Sequence, residues 1–124
     1  MGNKIITFRD LNTWKEGHNL VISIYKVTNI FPPKETFSLT DQLRRSAVSI
    51  TSNIAEGFSR RGIKEKIQFY LIALGSLTEL QNQILVARDV GYITPNIYVK
   101  LEDQSIVVHK LINGLIKGTK SRNT

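Results

Sequence analysis

The 124-residue chain has no cysteine, three prolines, one tryptophan and no long apolar run. Without cysteine there is no disulfide framework, thiolate metal site or cysteine nucleophile, which fits a reducing compartment. No segment approaches the roughly 18 apolar residues that a membrane span requires. The opening MGNKIITFRD holds no apolar core of the kind a secretory signal needs. Ile6 stands where the myristoylation pattern requires serine or threonine. These absences predict a cytoplasmic protein that is not membrane-bound. Acidic residues are also scarce. Ten Asp and Glu oppose seventeen Lys and Arg, giving a net charge of +7 and a pI near 9.9. Such a surplus attracts polyanions such as nucleic acid.

The motifs of several enzyme classes are missing as well. There is no GxxxxGK[ST], HExxH or GxSxG. His18 and His109 lack ligand partners at helical spacing, so no metal is expected. No cofactor or small-molecule substrate is expected either, and the reading is that of a non-enzyme.

What the chain does have is helical periodicity, with no internal repeat and no useful strand alternation. A first helix is expected over 10–29, with Leu11, Trp14, His18, Val21, Tyr25 and Thr28 on its inner stripe and Ile22 beside them. Pro32 and Pro33 stop it. Gly17 inside it costs about 1 kcal/mol relative to alanine, and suggests a close backbone approach. A second helix over 40–58, capped by Ser38 or Thr40 with Asp41 in its first turn, turns Leu43, Ala47, Ile50, Ile54 and Phe58 inward. Gly57 and Gly62 bracket its end. A third helix over 63–90 stops at Gly91. It carries Ile63, Ile67, Tyr70, Leu74, Leu77, Ile84 and Leu85, with Phe69, Ala73 and Leu80 alongside; Ile72 points away from both stripes. Thr94 and Pro95 open a fourth helix over 95–117, with Ile97, Leu101, Val108, Leu111 and Leu115 inward. Residues 118–124 are expected to be a frayed basic tail. The expected fold is one all-α domain over 1–124, an antiparallel up-down-up-down four-helix bundle.

Two surface patterns on these helices suggest function. A polar seam on the second helix runs through Gln42, Ser46, Ser49, Asn53 and Glu56 in steps of four and three. It predicts a polar contact with a sister subunit, another helix or a ligand, the sister subunit being preferred. Phe69 and Ile72, on the strongly apolar third helix, join it as candidate partner contacts. Glu56 has Arg45 and Arg60 near enough in sequence to pair with. The second pattern is basic: Arg44, Arg45, Arg60, Arg61, Lys64 and Lys66. Arg60 to Gly62 precede a helix N-terminus, where free N–H groups favour an anion. A further cluster at His109, Lys110, Lys117, Lys120 and Arg122 is explained by the dipole at a helix C-terminus.

The stretch from Gln42 to Gly57, QLRRSAVSITSNIAEG, resembles the signature of the four-helix bundle intervening-sequence proteins, whose reading frames occur in insertions within bacterial large-subunit ribosomal RNA genes. Matching pieces follow in order along nearly the whole chain: Phe8 to Leu11 with Trp14, Ile24-Tyr25, Phe31-Pro32 with Glu35, Leu39-Thr40, Ala73 to Leu80, and Gly91-Tyr92. Gly17 departs from the pattern, which has alanine there. The resemblance implies an up-down bundle and a ring-shaped homo-oligomer, a pentamer. The accessory proteins of diversity-generating reverse transcriptases are similar: basic pentameric bundles that contact nucleic acid and polymerase. The leading expectation is therefore a non-enzymatic homo-oligomer that binds RNA or single-stranded DNA as an accessory protein, through Arg44, Arg45, Arg60, Arg61, Lys64 and Lys66. The alternative is a protein–protein scaffold with no nucleic-acid role.

Overall fold

Proline and glycine punctuate the three connections between the four helices. The computed structural model describes residues 4–122. After a 3-10 turn at Phe8–Asp10, α1 spans Asn12–Thr28, α2 Leu39–Ser59, α3 Ile63–Asp89 and α4 Pro95–Ser121. No strand forms among the described residues. Each helix packs on the next and α4 closes back on α1, while the diagonal pairs stay apart.

Side-chain contacts show that neighbours run antiparallel. Along α2 and α3, Ser46 meets Gln83 and Ser49 meets Ser76, and an added Gly57 Cβ would meet Tyr70, so numbers rise on one helix as they fall on the other. Thr28 meets Arg44 between α1 and α2, and Gln81 meets Ser105 between α3 and α4. Thr13 donates to the Leu111 carbonyl between α1 and α4. The up-down bundle is thus the observed fold.

The caps follow local chemistry. Thr94 accepts a hydrogen bond from Ile97 N–H, and Pro95 occupies the first helical position. Gly91, at φ +86°, lets Tyr92 N–H reach the Ala87 carbonyl and Gly91 N–H reach that of Arg88, the paired bonds of a Schellman motif. Ser38 is the N-cap of α2 by position, but its hydroxyl makes no cap bond. Glu35 takes that role, accepting Leu39 N–H at 3.3 Å with one carboxylate oxygen and the Tyr92 hydroxyl at 2.8 Å with the other. One carboxylate thereby ties the α1–α2 loop to the α3–α4 turn.

Two expectations need correction. The inner stripe of α1 is Thr13, Gly17, Leu20, Val21, Ile24 and Thr28, rotated from the expected line. Trp14 is only half-buried, while His18 and Tyr25 are exposed; their flat rings cover the rim instead of filling the core. His18 stacks on Trp14, and Phe8 meets the same indole edge-on. Gly17 does mark a close approach, since a Cβ there would lie 3.1 Å from Thr51 Cγ2. At the other end, the tail is helical to Ser121. Ile116 and Thr119 are buried, and the Thr119 hydroxyl bonds the Leu115 carbonyl, so the apolar stripe outlasts the polar composition. Residues 123 and 124 of the expected tail lie outside the described residues.

Both short-range carboxylates at loop positions have lowered pKa values. Asp10 accepts Thr7 and Ile6 N–H groups, which hold its carboxyl below the ordinary 3.8. The Tyr92 hydroxyl, then Leu39 N–H, holds Glu35 below 4.5. A carboxylate lowered in the fold stabilises the protein above its unfolded pKa and loses that contribution as pH falls through the lowered value. The urea midpoint should therefore drop as pH falls below about 5. Glu35→Gln should lose part of that drop, and an unchanged pH profile would contradict this role for Glu35.

Candidate nucleic-acid interface

The polar seam and the basic residues have separate structural fates. In the seam, Ser46 and Ser49 turn inward against α3 of the same chain, not toward a sister subunit. Ser46 Oγ lies 2.8 Å from a Glu79 carboxylate oxygen and 2.9 Å from the Gln83 side-chain amide, and Ser49 Oγ lies 2.7 Å from Ser76 Oγ. A hydroxyl has one proton to give. That proton is therefore shared between the Glu79 carboxylate and Gln83 Oε1, which both accept from Ser46. Asn53 bonds back to the Ser49 carbonyl, and Gln42 and Glu56 are exposed. Leaving buried Gln83 short of a partner, Ser46→Ala should cost about 1–3 kcal/mol in urea unfolding. A loss within about 0.3 kcal/mol would show the pair to be dispensable.

The six expected nucleic-acid residues divide into two groups. Sixteen residues of helix, about 24 Å, separate Arg44 from Arg60. Arg44 is an internal clamp: its Nε donates to Thr28 Oγ1 at 2.9 Å, its Nη2 to Asn29 Oδ1 at 3.1 Å, and its guanidinium covers the Tyr25 ring. Arg45 pairs with Asp41 at 3.1 Å on an exposed surface. Arg60 pairs with Glu56 at 3.0 Å and lies over Phe69, so that ring serves the same chain. Ile72 is exposed, as expected. Lys66 reaches back across the α2–α3 turn and donates to the Phe58 carbonyl at 2.7 Å and that of Gly57 at 3.4 Å, capping α2. Burial, and then the nearby Arg122 charge, push its ammonium below the ordinary lysine range.

Arg61 and Lys64 remain, and the fold adds Lys120 to them. Arg61, Gly62, Ile63, Lys64, Ile67 and Lys120 line one shallow groove where the α2–α3 turn meets the last turn of α4. None of these three cations forms an ion pair among the described residues. Lys120 was missed as a site residue because its position at the end of α4 already had a sufficient explanation in the helix dipole.

The groove lies in the charged half of the bundle. Dividing every helix near its midpoint puts residues 4–19, 50–75 and 109–122 at the end with the α2–α3 turn. These segments hold eleven Lys and Arg against four Asp and Glu. The other half, 20–49 and 76–108, holds six of each. The entire +7 surplus therefore sits at one end of the molecule. No group of three or more His, Asp or Glu that could hold a metal occurs among the described residues, and none of their helices is long and apolar enough to cross a membrane.

Residues 9–114 match the model of the 23S rRNA-intervening sequence protein family. The chain belongs to that family. A crystal structure of a protein of unknown function from the S23 ribosomal protein family of Bacteroides thetaiotaomicron is similar to it, with a TM-score of 0.78 and 23% identity over 85% of this chain and 98% of that one. At that identity the likeness speaks for the fold alone. No curated protein matches the chain. Neither the family nor the structural neighbour indicates an enzyme.

Proposed function

We propose that this family member is a non-catalytic accessory protein that binds RNA or single-stranded DNA by its basic end, with the Arg61–Lys64–Lys120 groove at the centre of the contact. The observation that carries the reading is the concentration of the whole charge surplus in one half of the bundle. A phosphate backbone is a line of single charges, and a protein neutralising it gains by releasing counterions. Unpaired Lys and Arg around a shallow groove suit that task better than a neutral partner. With three phosphate contacts on a single strand, the log–log salt slope is about −2, so affinity should fall about twentyfold between 50 and 200 mM salt. Fluorescence anisotropy with a short unstructured RNA reads this directly. Absence of binding at low salt overturns the reading, and a salt-independent affinity overturns the electrostatic mechanism.

Self-association accompanies this reading. Leu71 and Ile72 on α3, and Val99, Ile106 and Val107 on α4, are exposed apolar side chains on the two longest helices. A second copy packed over them would remove this apolar surface from water. Light scattering at micromolar concentration should give a multiple of 14.1 kDa, with a pentamer as the expected state; a mass of 14.1 kDa itself overturns it.

A further inference from the structure

Beside the groove lies a recess that the electrostatic argument leaves unused. The segments flanking the 3-10 turn, the end of α2, the start of α3 and the end of α4 border a cavity of about 270 Å³, lined among others by Leu11, Phe58, Lys66, Tyr70, Leu115 and Arg122. Tyr70 is 1% exposed, and its hydroxyl has no hydrogen-bond partner among the described residues. Yet no fully enclosed side-chain oxygen lacks a partner. What little surface Tyr70 retains is therefore at its hydroxyl, opening into the recess. The hydroxyl thus faces the recess without a protein partner, and an oxygen placed there could accept its proton.

Two cations share the same cavity. Lys66 gives two of its three N–H bonds to the Gly57 and Phe58 carbonyls and keeps one. Arg122 forms no ion pair among the described residues. Its charge opposes the rise that burial imposes on the Tyr70 pKa and adds to the depression at Lys66, which places it near both groups. No carboxylate lines the cavity among the described residues. An ammonium, a guanidinium and a phenol thus converge between apolar walls, where charge interactions are stronger than in water.

We propose that this recess receives a phosphate monoester. Two positive charges match its dianionic form, whereas a carboxylate or a backbone diester brings only one negative charge. The cavity is smaller than the roughly 300 Å³ at which small-molecule sites begin, so it takes a terminal phosphate and not a whole nucleotide. A strand end at the neighbouring groove and free phosphate share this chemistry. The strand-end source rests on the nucleic-acid reading above; the phosphate site itself does not.

The test compares the same short RNA with a 5′-phosphate, a 3′-phosphate or neither, by anisotropy at fixed salt, and follows the melting temperature in inorganic phosphate. The expected result is that one terminal phosphate tightens binding about tenfold, and that Tyr70→Phe abolishes this preference while leaving the unphosphorylated RNA unaffected. Arg122→Ala should likewise bring the ratio of phosphorylated to unphosphorylated affinity to about one. If no RNA binds, but inorganic phosphate raises the melting temperature of the wild type and not of Tyr70→Phe, the recess is a free-phosphate site and only the strand-end source falls. If RNA binds without end preference and phosphate leaves the melting temperature unchanged, the proposal is overturned and the groove reading stands.

Discussion

Gly57→Ala should destabilise the bundle by about 1–3 kcal/mol, even though alanine is the better helix former. A Cβ on Gly57 would lie 2.6 Å from Tyr70 Cε1, 2.9 Å from Cδ1 and 3.1 Å from the Lys66 carbonyl oxygen. None of these can yield cheaply. The Tyr70 ring is enclosed, and the Lys66 carbonyl belongs to the first turns of α3. The propensity gain of about 1 kcal/mol is therefore outweighed by overpacking at the crossing of α2 and α3. Gly75→Ala supplies the opposite sign. Gly75 lies inside α3 with nothing within 4 Å of an added Cβ, so the same substitution should stabilise by about 0.5–1 kcal/mol. Urea unfolding of both variants checks the pair. A stabilising Gly57→Ala would mean that the two helices are not pressed together there, and that the Tyr70 recess has another shape.

The second large effect is electrostatic. Reversing Arg61, Lys64 and Lys120 to glutamate should weaken binding of a short RNA on the order of a hundredfold at low salt, and should flatten the salt slope by about 2. Reversing Lys26, Lys34 and Lys100 changes net charge by the same amount, but in the half of the molecule where charges already balance. All six side chains are exposed, and none forms an ion pair among the described residues, so folding should survive both sets. The two variants separate a localised site from a general attraction to a basic protein.

The fold was almost fully legible in the sequence, and the site only in pieces. Thr94-Pro95 and Gly91 announce their helix boundaries because each acts on the backbone within a few residues. The α1 stripe was misplaced because Trp14, His18 and Tyr25 are apolar enough to count as core in a periodic pattern, yet their size and polar edges leave them at the rim. The polar seam was visible as a pattern, but periodicity gives a helix face without saying what it meets; only the α2–α3 register puts Ser46 beside Glu79 and Gln83. The basic residues show the same limit. Six cations that look like one cluster in the sequence are divided by the length of α2. Lys120, 59 positions after Arg61, joins the groove because α4 returns to the same end. Lys66 reads as surface charge until the three-residue turn between α2 and α3 places it against the α2 carbonyls.

The central claim is that the basic end, and not net charge alone, holds nucleic acid. It is tested most directly by titrating one fluorescent single-stranded RNA with the wild type and the two charge-reversed variants at a single low salt concentration. The Arg61, Lys64 and Lys120 variant should lose binding while the Lys26, Lys34 and Lys100 variant stays within about threefold of the wild type. Equal losses in both variants, or none in either, would contradict it.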